Sequence, residues 1–233
     1  MKAVARTQQP HRGQEHEFEA QHGLPERLPP GEQILWQGSP DPVLVGRRVF
    51  HLVGLALYFA AMLTWRMVVL LDDGADWSDA LRGTLLLAVL SASALGFLAY
   101  MAWLTAKTTV YTVTNQRVVM RIGIVLTVTY NLPLRSIDAA HLLPLSKGRG
   151  EIALALRGDT RIAYLHLWPH ARPWQLARTQ PMLRCLADVQ PASALLVQAW
   201  AEANAQAARP AAAPAQQPEQ QGLSGLTPHG SAA

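Results

Sequence analysis

Thr108-Thr109-Val110-Tyr111-Thr112-Val113-Thr114-Asn115-Gln116-Arg117-Val118-Val119-Met120-Arg121-Ile122 decides the fold class of this 233-residue chain. Its two β-branched and aromatic runs suit a pleated surface, and Asn115-Gln116 between them supplies a tight turn. Gly123 punctuates, and Ile124 to Tyr130 reads as a third strand. Downstream, Glu151 to Leu156 alternates again, and the Gly158-Asp159 turn joins it to a strand expected over Arg161 to Leu167. Short strands separated by glycine turns predict a small antiparallel barrel or bent sheet. Leu183 to Val189 is a candidate helix, and a clearer one follows at 192–208, with Leu195, Leu196, Ala199, Trp200 and Ala203 at helical spacing.

Upstream, the hydrophobic period is lost altogether. Residues 49–71 are apolar except mainly for His51, Thr64 and Arg66, and the run from Thr84 to Leu104 carries no fully charged side chain. A bilayer span needs about 20 apolar residues at about 1.5 Å each, so both runs, 49–71 and 84–106, are expected to be transmembrane helices. Arg66 lies near the end of its run, where it can snorkel toward Asp72 and Asp73. The acidic connection at 72–83 holds Trp77 as an interfacial anchor, and Arg47, Arg48, Lys107, Arg117 and Arg121 lie on the terminal sides of the hairpin, with Arg82 in the connection the one counterweight. By the positive-inside rule both termini face the cytoplasm and the acidic loop the periplasm of a bacterial inner membrane. Ala88, Ala92 and Gly96 form a small-residue stripe, read chiefly as the seam against the first span.

The totals are averages over this layout. The chain is 50% hydrophobic and only 15% charged, with a net charge of +4, a pI near 9.6 and a mean hydropathy of +0.08. Soluble domains carry about 25% charged residues. The single cysteine, Cys185, rules out an intrachain disulfide scaffold. The remaining boundaries are a polar segment at 1–30, a pre-membrane segment at 31–48 containing a candidate first barrel strand, a soluble domain at 107–190 and a disordered Ala/Pro/Gln tail at 209–233. If Glu32 to Gln37 is that first strand, the membrane hairpin is an insertion between it and the strand at Thr109.

No nucleophile elbow, phosphate-binding loop, zinc-protease helix or dinucleotide fingerprint is present, so the chain reads as a non-enzyme with no cofactor. His166 and His170 have metal-like spacing, but Pro169 between them disrupts the shared helical face, and no metal is assigned. Arg117, Arg121, Lys147 and Arg149 are candidate contacts to anionic lipid; the competing reading is a solvated strand face. Trp168, His170, Arg172 and Trp174 are candidate partner contacts, since polar aromatics suit interfaces; each tryptophan equally suits the barrel core. Nucleic acid is not an expected partner, because no arginine-rich recognition helix is present.

The Tyr111 to Val119 signature with Gly123 resembles the strand-turn-strand of bacterial PH-like domains. Gly31, Glu32, Leu35, Trp36, Gly38 and Pro40 match the segment that often precedes them. More narrowly, three stretches resemble the PuhB family of photosynthetic-complex assembly proteins of purple bacteria. They are His16-Glu17-Phe18-Glu19 leading to Gly23-Leu24-Pro25, Arg117 to Ile124, and Ala163-Tyr164-Leu165-His166-Leu167-Trp168-Pro169-His170-Ala171-Arg172-Pro173-Trp174. The resemblance covers roughly residues 16–190. It implies an α+β membrane protein in which a two-helix transmembrane hairpin carries a PH-like antiparallel β-barrel closed by a C-terminal helix. The implied function is non-catalytic assembly of the photosynthetic reaction centre and core light-harvesting complex, with reaction-centre subunits, core antenna and membrane lipids as partners and self-association left open. The alternative is a lipid-binding or scaffolding PH-like membrane module without a photosynthetic role. Family members are often drawn with three membrane segments, whereas this chain has two: Ile122 to Leu134 is too short and contains Asn131 and Pro133.

Overall fold

A computed structural model of the chain describes residues 23–24, 26–158 and 162–208. The His16–Glu19 stretch, most of the polar 1–30 segment, the Asp159 turn position and the 209–233 tail lie outside the described residues. The strand-turn-strand is observed as β2 (Val110–Thr114) and β3 (Arg117–Ile122), paired antiparallel with Val113 opposite Val118. β1 (Ile34–Gly38) pairs antiparallel with β2, and β4 (Val128–Pro133) with β3, giving a four-stranded sheet in the order β1-β2-β3-β4. β5 (Ile137–Pro144), β6 (Gly150–Leu156) and β7 (Met182–Leu186) form a second antiparallel sheet in chain order.

The two sheets do not join, so the barrel expected from the sequence is corrected to two sheets folded over one core. The closing element is α5 (Gln190–Ala208), whose Ala192, Leu196, Ala199 and Ala203 recur every three or four residues and enter the core. Facing them are Tyr111, Val113, Val118 and Met120 from the first sheet and Ile152, Leu154 and Leu183 from the second. Trp200 packs against the same core and donates its indole N–H to the Ile137 carbonyl at 2.9 Å.

Between β1 and β2 the chain makes three helices: α1 (Pro42–Arg48), α2 (Leu52–Asp72) and α3 (Trp77–Thr108). α1 starts where Pro42 supplies a helix-compatible φ and the Asp41 carboxylate accepts the Leu44 amide at 2.9 Å. α2 and α3 are long and apolar enough to cross a membrane, and their apolar windows are 0% and 11% buried within the protein. Leu57, Trp65 and Val68 on α2 and Leu86, Val89 and Phe97 on α3 face outward. α1 is the clamp. Its Leu44 and Val45 pack on Ala102 and Ala106 near the end of α3 and on Cys185 of β7, joining the hairpin to the sheets.

Several local expectations are corrected. Residues 162–167 form no strand; α4 (Tyr164–Leu167) is a single helical turn there. The third strand begins at Val128 rather than Ile124, leaving Gly123 to Thr127 as a loop. Met182 to Leu186 is a strand, β7, which overlaps the Leu183 to Val189 stretch expected to be helical. Finally, Ala92 and Gly96 are exposed, so their stripe is not the seam with α2; Thr84 and Ser91 are the buried positions of α3 there.

Candidate functional site: the hairpin-proximal face

α3 runs into β2 with only Thr109 between them, and β3 returns antiparallel to β2. The hairpin end of the soluble module therefore holds the start of β2, the end of β3 and the β3–β4 loop, together with the entry to α2. The segment from His166 to Trp174 crosses this same end.

His170 anchors that segment. It is 2% exposed, and both ring nitrogens are engaged: Nδ1 lies 2.6 Å from the Tyr111 hydroxyl and Nε2 lies 3.2 Å from Thr109 Oγ1. The Tyr111 oxygen accepts the Arg184 backbone N–H at 3.3 Å, leaving its own hydrogen for Nδ1. The network thus assigns a neutral imidazole protonated on Nε2. Burial and the nearby Arg184 guanidinium hold its pKa down to about 3, and burial pushes the Tyr111 phenol well above its ordinary value. This is a pinned structural group, and neither nitrogen is open to a metal. His166 is exposed. Among the described residues no group of three His, Cys, Asp or Glu side chains is placed to hold a metal ion.

The same segment separates two cavities of opposite character. On one side is an apolar groove of about 400 Å³, lined by Phe97 and Met101 of α3, Ile124 and Leu126 of the β3–β4 loop, Phe50 and Trp168. Trp168 is half exposed and meets Phe50 edge to face, with ring centroids 6.0 Å apart. The loop beside it is the most exposed apolar turn of the domain, with Val125 89% and Leu126 82% exposed. Gly123 makes this turn possible, because at φ +120° a Cβ would meet the Leu126 carbonyl oxygen.

On the other side is a cationic cleft of about 530 Å³ lined by Arg47, Arg48, Arg172 and Arg184, with Glu151, His51 and Trp174. Glu151 is buried. It accepts Arg184 Nε at 3.3 Å and stands 4.0 Å from Arg48. Cys185 donates its thiol to Glu151 at 3.7 Å, and burial followed by that carboxylate pushes the thiol pKa up to about 12. Arg172 donates to the Gln180 side-chain oxygen at 2.9 Å, and Trp174 is 93% exposed with φ +63°.

The four proposed partner contacts therefore sit on one segment but in unlike settings: Trp168 and Trp174 point outward, Arg172 is half-buried and His170 is interior. The four proposed lipid contacts are not gathered. Arg117 and Arg121 lie on β3, whereas Lys147 and Arg149 lie at the β5–β6 turn of the other sheet. Arg117 is at the end of β3 away from the hairpin, where its Nε donates to buried Glu32 at 2.9 Å. Sequence reasoning missed the cleft because Arg47 and Arg48, Arg172 and Arg184 are distant in the chain. The one available signal was an acid, Glu151, on an otherwise apolar strand, calling for buried cations.

A profile described as "Bacterial PH domain" matches residues 52–171, from the start of α2 to the Trp168–Ala171 segment. A protein of Rhodobacter capsulatus named "Uncharacterized 23.7 kDa protein in puhA 5'region" is 36% identical over 187 residues, covering 78% of this chain and 86% of that one. No solved structure matches.

Proposed function

This chain belongs to the bacterial PH domain family, and on that premise we propose that it is a non-catalytic, membrane-anchored factor for assembling the photosynthetic reaction centre and its core antenna. One observation carries the anchoring: α2 and α3 are apolar on all sides and almost wholly unburied by the protein itself. Outward-facing Leu, Val, Phe and Trp side chains along two helices would form a far larger apolar patch than soluble monomers tolerate, and a bilayer removes that cost. Arg47, Arg48 and Lys107 at the module's end of the hairpin, against Arg82 alone in the 72–83 connection, support a cytoplasmic module and a periplasmic tip.

The family profile begins at Leu52 and so includes the hairpin, which supports reading helices and sheets as one functional unit. The resemblance of the His166 to Trp174 run to photosynthetic-complex assembly proteins, and a relative named for the puhA 5′ region, support the photosynthetic assignment. Trp168 and Trp174, both exposed beside the membrane entry, are the anchors we assign to partner subunits. Tethering confines the search to the membrane surface, where a modest contact suffices.

Deleting the gene in a phototroph should lower reaction-centre absorbance while pigment synthesis continues. Unchanged reaction-centre levels in the deletion strain would overturn the proposal.

A further inference from the structure

We propose that the cleft between α1, β6, β7 and the Arg172–Trp174 segment is a binding site for the phosphate group of an anionic phospholipid headgroup. Its charge balance is the first argument. Four guanidinium groups line it, and Glu151 is the single carboxylate among the lining side chains. Glu151 is already committed to Arg184 at 3.3 Å and approached by Arg48 at 4.0 Å. Neither Arg47 nor Arg172 has a carboxylate partner among the described residues. Arginine clusters with surplus charge match phosphate oxygens through paired N–H donors.

The backbone adds to this field. His51 begins the 21-residue α2 in a left-handed conformation and gives no side-chain cap, and the first turn of α2 holds no acidic residue. The positive end of α2 thus opens beside the cleft that His51 lines. The Arg184 side chain is nearly buried, and its second contact, to the Pro169 carbonyl at 3.1 Å, fixes the guanidinium in place. The Arg184 guanidinium is thus held in place by the fold, and Arg172 is held by the Gln180 side-chain oxygen at 2.9 Å.

Position selects the source of the phosphate. The apolar span of α2 starts at Leu52, directly after His51, so the cleft lies where headgroups meet hydrocarbon. Trp174, almost fully exposed at its rim, is the residue type enriched at that depth. A diester phosphate there would keep its acyl chains in the bilayer while its headgroup enters the cleft. This inference rests on the membrane reading above.

The test uses the full chain in a mild non-ionic detergent, titrated with phosphatidylglycerol, phosphatidylcholine or inorganic phosphate and followed by thermal unfolding and native mass spectrometry. Phosphatidylglycerol should raise Tm and be retained; phosphatidylcholine and phosphate should do neither. Affinity should fall about fivefold in Arg47→Gln and about 30-fold in Arg47→Gln/Arg172→Gln. Arg47 is exposed, so the single variant should keep the lipid-free Tm of the parent. Equal response to both lipids, an unchanged response in the single variant, or stabilisation by phosphate alone would overturn the lipid-headgroup site. Alkaline carbonate extraction of the parent from membranes separates the two readings. Release from the membrane refutes anchoring, whereas retention without lipid preference refutes only the cleft.

Discussion

Acidifying the protein should expose the cost of its buried imidazole. An ordinary histidine titrates at 6.5, whereas burial and Arg184 hold His170 at about 3. Between those values the unfolded chain binds a proton that the folded chain refuses. Stability therefore rises with pH across this window, is complete above 6.5 and falls progressively below it, by about 1.4 kcal/mol per pH unit. Moving from pH 7.5 to 5.0 removes about 2 kcal/mol through this one group, roughly 4–8 °C in Tm for a chain of this size. The proton is refused because a charged ring would be cut off from water in the interior and repelled by the Arg184 guanidinium. Carboxylates titrate in the same range, so the informative quantity is the difference from His170→Gln, which retains a donor and an acceptor but cannot ionise. Tryptophan-fluorescence melts of both proteins in detergent should show a pH slope shallower in the variant by about that amount. Superimposable slopes would refute the neutral, trapped imidazole.

Cys185, with its thiol raised to about 12, should resist a disulfide reagent at pH 8 in the folded protein and react once unfolded; a thiol titration with and without denaturant checks this. Glu32 is buried between Thr114 Oγ1 at 2.7 Å and Arg117 Nε at 2.9 Å, so Glu32→Ala should cost about 2–3 kcal/mol, read as a lower Tm. Gly123→Ala should cost at least about 1–3 kcal/mol, because φ +120° is strained for alanine and its Cβ would run into the Leu126 carbonyl oxygen, again read from thermal unfolding. Because the native thiol is inert, Val125→Cys supplies a single labelling site. A fluorophore there should be quenched by brominated lipid in vesicles if the β3–β4 loop touches the bilayer, and should stay unquenched if it faces water.

The strand pair at Val110 to Ile122 was legible because its β-branched runs flank a polar turn, and the apolar helices were legible from length alone. Closure of the sheets was not, since strand composition says nothing about whether edges meet. Met182 to Leu186 was misread because all five residues are buried: Leu183 and Leu186 face the main core while Cys185 faces α1 and α3, so no alternation survives. The 162–167 region carries strand-like residues but folds as one helical turn before the cis Trp168–Pro169 bond. At the candidate site, the sequence marked Trp168 to Trp174 as unusual. It could not tell that His170 turns inward while Trp174 turns outward, because that depends on Thr109 and Tyr111 sixty residues upstream. The arginine cleft was invisible for the same reason: its charges meet only after β6 and β7 pair and α1 docks.

The central claim is that this membrane-tethered PH-family module engages photosynthetic complexes, and affinity capture tests it most directly. The tagged full chain is captured from photosynthetic membranes solubilised in mild detergent, with Trp168→Ala/Trp174→Ala captured in parallel. Reaction-centre polypeptides and their pigment absorbance should co-elute with the parent and fall away with the variant. Recovery of the parent from the membrane fraction free of those polypeptides would contradict the account.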